Sequence, residues 1–494
     1  MFLHTTMFSR LTRIAAVAAT IGTALAAAAP APARTHGLQL GFTDFGAFEN
    51  ATGVERQTAL QHARDSGASI IRLGMDWDAT SKTKPPSLAV ERDPSWPGYD
   101  WSETDSTVRS TAQAGLTPLM LISNAPAWAE GPNRPQVSIK YPAGSWRPSA
   151  ADYGAFSQAA AKRYSGTYPD PENPGQMLPR VKYWQGWNEP NISLYLTPQW
   201  TKVHGRLHDT GADIFRGLLN AFYKGVKAVS SHNVVVTAGT SPFGDPPGGQ
   251  RVPPAMFWRD VFCLSGRTAL KKVHCSGSPV HFDVLAHHPY PIGPPRRHSP
   301  NPDDVVIADF DRLSKPLSVA IKKGTVAPRR KKQLWATELS WDSRPPDPNG
   351  IPERLQAIYM EGAFSELWNE GVSAVIWFNM RDQYPYPDYQ STLQSGIYFR
   401  GDTIAEDTKK MSFTSYSFPF TAYIKKGKTQ LWGLAPAAGD VTIQVQSGST
   451  WTTVAHVKAR SDRLFLGTAR VKAGRNVRAI QGGATSLPWK VFTP

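Results

Sequence analysis

The chain runs to 494 residues, 40% of them hydrophobic, with a formal charge of +15. That composition supplies a sizeable core and excludes wholesale disorder. The basic excess accompanies no nucleic-acid-binding motif, and the two cysteines have one nearby histidine (His274) and no zinc-ligand spacing, so neither a nucleic-acid partner nor a metal is expected.

The N-terminus reads as a cleaved signal peptide over residues 1–33. Arg10 and Arg13 precede an apolar run from Ile14, and Ala31 and Ala33 stand in an A-x-A arrangement before Arg34. A membrane anchor is the alternative, but the run is short for a span of about 20 residues. No later stretch is apolar enough for stable membrane insertion. The expected location is therefore extracellular.

Eight β-rich apolar runs follow: LQLGF, SIIRLGM, TPLMLIS, VKYWQGW, NVVVTAG, FDVLAHH, QLWATEL and SAVIWFN. Several are continuously apolar, as parallel strands covered by helices are. Helical patterns start at Glu55, Ser149, Ala212 and Glu353, with Ser149 as an N-cap and Gly115 and Gly371 where left-handed C-caps are wanted. Eight strand–helix units predict an α/β fold, a (β/α)8 barrel over residues 34–418. An open doubly wound sheet is the runner-up; the Gly-rich phosphate loop of its nucleotide-binding version is missing. Pro- and Gly-rich stretches after the fifth, sixth and seventh runs are expected to frame the active-site face.

Cys263 and Cys275 are candidates for a disulfide in an oxidising compartment, two free thiols being the alternative. From about residue 419 the chain changes to short strands separated by turn residues, predicting a small antiparallel β-sandwich over 419–494. Thirteen Lys and Arg lie from Lys409 onward, opposed by Asp440 and Asp462. An anionic cell-wall polymer is one candidate partner for this basic module and a solvated face the other. Trp432, Trp451 and Trp489 are candidate sugar contacts there, with core packing the commoner fate.

Two acidic residues end strands on opposite sides of the predicted barrel. Glu189 lies in WQGWNEPN after the fourth run and Glu338 in WATELSW after the seventh. Glycoside hydrolysis needs two carboxyls flanking one bond; rim ion pairs are the other reading of the two glutamates. A charged neighbour disfavours a second negative charge, so the two must divide into a protonated acid and an ionised partner.

The WNEPN motif after a fourth strand, with a Glu ending a seventh, resembles the retaining glycoside hydrolases of clan A, and most of all family 39 with its neighbour family 5, in secreted bacterial form. DYGAFSQAAAKRY and AFYKGVKAVSSHNVVVTAG look similar as well, and the resemblance covers about Gly41 to Phe420. It implies Glu189 as acid/base and Glu338 as nucleophile. It also implies that Asn188 holds a sugar 2-hydroxyl and that Arg72, ending the second strand, keeps the nucleophile ionised. His288 and Tyr290 end the sixth strand, with Tyr290 placed to donate to Glu338. His287 beside them is expected to face the barrel wall. Trp377 is a candidate floor for the first sugar site, and Trp341, Trp128, Trp187 and Phe45 are further platforms. Asn124 stands where family 5 enzymes often carry a histidine, which favours family 39.

The expected function is a retaining β-glycosidase of the β-xyloside or β-glucan type, acting on oligo- or polysaccharide without a cofactor; an open cleft would cut within the polymer, whereas a long loop after the sixth run that closes one end would impose exo-action. An arabinofuranosidase on the same barrel is one alternative. A non-catalytic carbohydrate- or wall-binding protein is another, although such a retired enzyme would be expected to have lost one carboxylate, and both are present.

Overall fold

The computed structural model describes residues 36–493; the expected signal peptide lies outside them. Among the described residues no helix is long and apolar enough to cross a membrane. Residues Gly37–Pro494 cluster as one compact unit.

Eight parallel strands close into a barrel in sequential order: β1 (Gln39–Thr43), β2 (Ile70–Asp76), β3 (Thr117–Ser123), β4 (Tyr183–Gly186), β5 (Val234–Thr237), β6 (Val284–His287), β7 (Gln333–Ala336) and β8 (Val372–Phe378), with β8 pairing back to β1. These are the eight runs read from the sequence. Side chains alternate into the lumen with a period of two. Ile70, Leu119, Val236, Val284, Ala286, Trp335, Ala374 and Ile376 form a closed inner cluster, with Tyr183 and Val234 packed against it. Two residues further along β2 and β4 the inward positions turn polar, at Arg72 and Gln185. Beyond the ends of β6 and β7 the same columns continue as His288 and Thr337. The apolar plug therefore carries a polar floor at the C-terminal mouth.

Helices cover the outer faces of the strands: α1 (Gly53–Asp65), α2 (Ser102–Gln113), α3 (Ala150–Arg163), α4 (Thr210–Val229), α5 (Pro254–Val261), α6 (Asp311–Lys323) and α7 (Glu353–Asn369). The Ser149 hydroxyl caps α3 by accepting the Asp152 amide. Gly115 and Gly371 take φ of +72° and +95°, the left-handed region expected of them. Helices α3 and α4 meet backbone to backbone: a β-carbon on Gly225 would lie 2.2 Å from the Gly154 carbonyl oxygen.

Cys263 and Cys275 form a disulfide closing the loop after α5. Beyond residue 419, β9 (Phe420–Lys425), β10 (Lys428–Leu434) and β13 (Leu464–Ala469) make one antiparallel sheet. A second is built on β11 (Gly439–Ser447), β12 (Thr450–Ala459) and β14 (Asn476–Gln481). The two sheets share a core of Phe420, Leu431, Val441, Ile443, Phe465 and Val477. They also share the barrel's core. Trp432, Leu434 and Leu464 belong to the main apolar cluster, and Trp432 packs on Trp368 of α7. Trp432 is buried in this core, as packing rather than a sugar contact; Trp489 is largely buried, with an edge on a groove lined by Pro295 and Tyr359. Trp451 lies beneath the Arg478 guanidinium, 4.2 Å from its ring centre.

Candidate active site

Glu189 sits on an irregular turn that the surrounding structure holds tightly. Trp187 and Glu189 both take left-handed φ, +73° and +35°, a conformation that costs a non-glycine residue about 1–3 kcal/mol. Neighbouring groups fix the turn. The Trp187 and Glu189 amides donate to the carbonyls of Ile122 and Gly239. The Trp187 indole donates to Tyr195 O, and the Asn191 side chain bonds three ways to Ser241 and Val252. The proline of WNEPN thus follows a residue whose backbone is already bent away from the strand.

Glu338 lies just past β7, and His288 just past β6 stands between the two glutamates. His288 Nδ1 is 2.9 Å from Glu189 Oε1. Its Nε2 is 3.5 Å from Glu338 Oε1, a charge contact rather than an aligned hydrogen bond. Gly239, at the end of β5, makes room for this ring: a β-carbon there would lie 2.0 Å from His288 Nε2. Arg72, almost wholly buried, donates from Nη1 to Glu338 Oε1 at 2.7 Å, from Nη2 to Asn188 Oδ1 at 2.8 Å and from Nε to Gln185 Oε1 at 2.6 Å. Tyr290 donates its hydroxyl to Glu338 Oε2 at 3.1 Å.

The electrostatics follow from these contacts. Burial pushes the Glu338 carboxyl up. The pull of His288 and Arg72, with hydrogen bonds from Tyr290 and Arg72, outweighs it and holds the group below the ordinary glutamate range. Burial, followed by the two nearby carboxylates, pushes the Tyr290 hydroxyl well above its usual value, so it stays a donor. Tyr195, beside the cleft, is pushed up to about 12 by burial and by Glu189 and Glu338. Donor atoms of Glu189, His288 and Glu338 all lie within 4.8 Å of one another. Such a set has the donor chemistry of a cation site, but the Arg72 guanidinium already occupies the Glu338 oxygen that faces it.

The structure brings Arg72, Asn188, Glu189, His288, Tyr290 and Glu338 together, and parts from the sequence reading elsewhere. Arg72 lies within β2 rather than at its end. Trp377, expected as the floor, is fully buried: its indole donates to Ser395 O and it packs against Trp341 and Phe364. Trp341 donates to Gly293 O beneath the loop after β6, and Trp187 is buried too, so neither offers an open face. Trp128 donates to Ser81 O and stands edge-on to Trp77. Asn124 does not reach the pair; its amide holds both oxygens of Asp76. His287 faces the wall, bonded to Thr240 and Val305. Of the expected platforms, Phe45 does open to the cleft, at 41% exposure. Gln185, Tyr195 and Gly239 went unread. Gln185 had a signal, as a polar residue in an otherwise apolar strand.

The cleft that opens on Glu338 measures about 650 Å³, within the range that takes small-molecule ligands. Phe45, Glu49, Asp76, Asp100, Glu103 and Phe378 line it beside Asn188, Tyr195 and Glu338. Its walls therefore come mainly from the loops after β1 and β2. The Pro-rich loops after β5, β6 and β7, expected to frame the site, do not line it.

No protein-family model matches this sequence, and no curated protein matches it. Among solved structures, the chain is similar to a family 39 glycoside hydrolase from the gut symbiont Bacteroides cellulosilyticus. The identity is 15% and the TM-score 0.53, covering 88% of this chain and 81% of that one. A glucosidase from Croceicoccus marinus matches at 15% identity and a TM-score of 0.48, over 88% and 82% of the two chains. A family 30 endoxylanase from Clostridium papyrosolvens matches at 11% and 0.43, over 88% and 93%. The first likeness establishes the fold as an eight-stranded β/α barrel that glycoside hydrolases use.

Proposed function

We propose that the chain is a retaining β-glycosidase acting on oligo- or polysaccharide, with Glu338 as nucleophile and Glu189 as acid/base. The observation that carries this reading is the approach of the two carboxyls to within 4.8 Å, oxygen to oxygen. Retaining enzymes hold their pair about 5–5.5 Å apart, whereas inverting enzymes leave about 6.5–9.5 Å for a water.

In the first step a Glu338 oxygen attacks the anomeric carbon as the glycosidic bond breaks, and the proton of Glu189 passes to the departing oxygen. In the second, Glu189 takes a proton from water, the resulting hydroxide adds to the anomeric carbon, and the bond to Glu338 breaks. Arg72 and Tyr290 favour the ionised Glu338 that the first step needs. Asn188, held by Arg72, is assigned the 2-hydroxyl of the reacting sugar in this reading. His288 spans both carboxyls and fixes their spacing.

Aryl β-glycosides test the reading. Wild type is expected to release phenol. Glu189→Gln should slow catalysis by about 10²–10⁴-fold on poor leaving groups and far less on good ones. Glu338→Gly should be inactive alone and yield a β-glycosyl azide when azide is added; wild-type turnover by that variant would remove Glu338 as nucleophile.

A further inference from the structure

The arm of the cleft beyond the catalytic pair is acidic on a basic protein. Glu49, Asp76, Asp100 and Glu103 line it against one lysine, Lys82, although the whole chain carries +15. Exposed acidic groups mean little by themselves, but Glu49 is of another kind. It follows β1 in the turn Phe45–Glu49, is 7% exposed and lies on the cleft wall. Its Oε1 accepts the Gly74 amide, which fixes the carboxyl. Its Oε2 is buried and has no hydrogen-bond partner. A carboxyl oxygen left bare in this way is costly unless a ligand meets it. Gly74 lies two residues beyond Arg72 on β2, roughly 7 Å up the same inward column, which sets Glu49 about one sugar's length from Glu338's partner Arg72.

We propose that this arm is a subsite for a sugar bearing a free amino group, held as its ammonium by Glu49, with Asp76 and Glu103 supplying the surrounding negative field. The inference rests on the glycosidase reading of the same cleft. An ammonium offers donors to the bare Oε2 and adds positive charge to a wall whose cations are Lys82 in the lining and Arg56 and Arg72 nearby. A uronic acid would meet repulsion there. In support, burial pushes Glu49 up to about 8; Asp44 and Glu103 add to the rise, while the Gly74 amide and Arg72 oppose it. A cation at Oε2 relieves that penalty. Asp76 is pinned for the task by the Asn124 amide and the Ala79 backbone amide.

The test measures binding to the full chain carrying Glu338→Gln, by calorimetry, with tetramers of β-1,4-linked glucosamine, N-acetylglucosamine and glucose. The glucosamine tetramer should bind at least about tenfold more tightly than both neutral ones, and the advantage should shrink as salt is raised. Adding Glu49→Gln and Glu103→Gln should abolish the preference. Asp76→Asn, at an exposed position, should weaken it about threefold and serves if the buried substitution prevents folding. No binding, equal binding, or a preference that survives these substitutions overturns the proposal. Aryl β-glycoside cleavage by wild type is read separately: its absence overturns the hydrolase reading, whereas a charge-dependent preference without cleavage leaves the subsite standing.

Discussion

Tyr290 makes the sharpest residue-scale test, because it touches the nucleophile candidate through one hydrogen bond. That bond favours the ionised carboxyl, so Tyr290→Phe should raise the Glu338 pKa. The proposed mechanism uses Glu338 ionised; on that reading activity should fail earlier as pH drops, with the acidic limb of kcat/KM moving up by about one unit. A pH–rate profile checks this, and an unmoved limb would remove Tyr290 as a positioning residue. The residues that met here were legible because each ends a strand or sits in the column above an apolar inward residue. The tryptophans were not legible. Nothing in SAVIWFN tells which of Trp377 and Phe378 faces the lumen until the register is known; the pairing of Phe42 with Trp377 turns Trp377 outward and gives Phe378 to the cleft. Glu49 went unread because its neighbours across the cleft, Gly74 and Glu103, are distant in the chain.

At the scale of elements, the site depends on how α3 and α4 flank β4. Gly225 and Gly154 let the two backbones touch, so Gly225→Ala should force them apart and destabilise the fold by about 1–3 kcal/mol, read by urea denaturation. Its effect on kcat should follow, since the displaced helices support the strand carrying Glu189. The four helices read from sequence show apolar residues at helical spacing. Helix α2 does not: its buried face is Thr104, Asp105, Thr107, Val108 and Thr111. Asp105 is buried there because Arg163 and Tyr164 of the neighbouring helix meet it. A core built on such an ion pair leaves no hydrophobic period to find, and α6, with Pro316 inside it, hides for the opposite reason of a misplaced helix breaker.

For the molecule as a whole, the C-terminal sheets are an integral layer rather than a tethered accessory. Thr421 bonds Ser365, Trp432 lies on Trp368, and the Arg463 guanidinium donates to Gly67 O near β2. Truncation after residue 418 should therefore expose Trp368 and its neighbours and leave an aggregating protein of lowered Tm. A truncated chain that stays soluble with unchanged Tm would contradict this. The change of pattern near residue 419 was legible as a change of strand type, whereas the shared core was not, because strands read singly do not reveal which layer they cover.

The barrel seam has a consequence for synthesis. β1 leaves the ribosome before every other barrel strand, and its partner β8 pairs Gln39 with Ala374, about 335 residues later. At about 5–20 residues per second the open strand waits roughly 17 to 67 seconds for that partner. Through that interval one side of QLGFT is an unsatisfied edge, open to pairing with the wrong strand until the ring can shut.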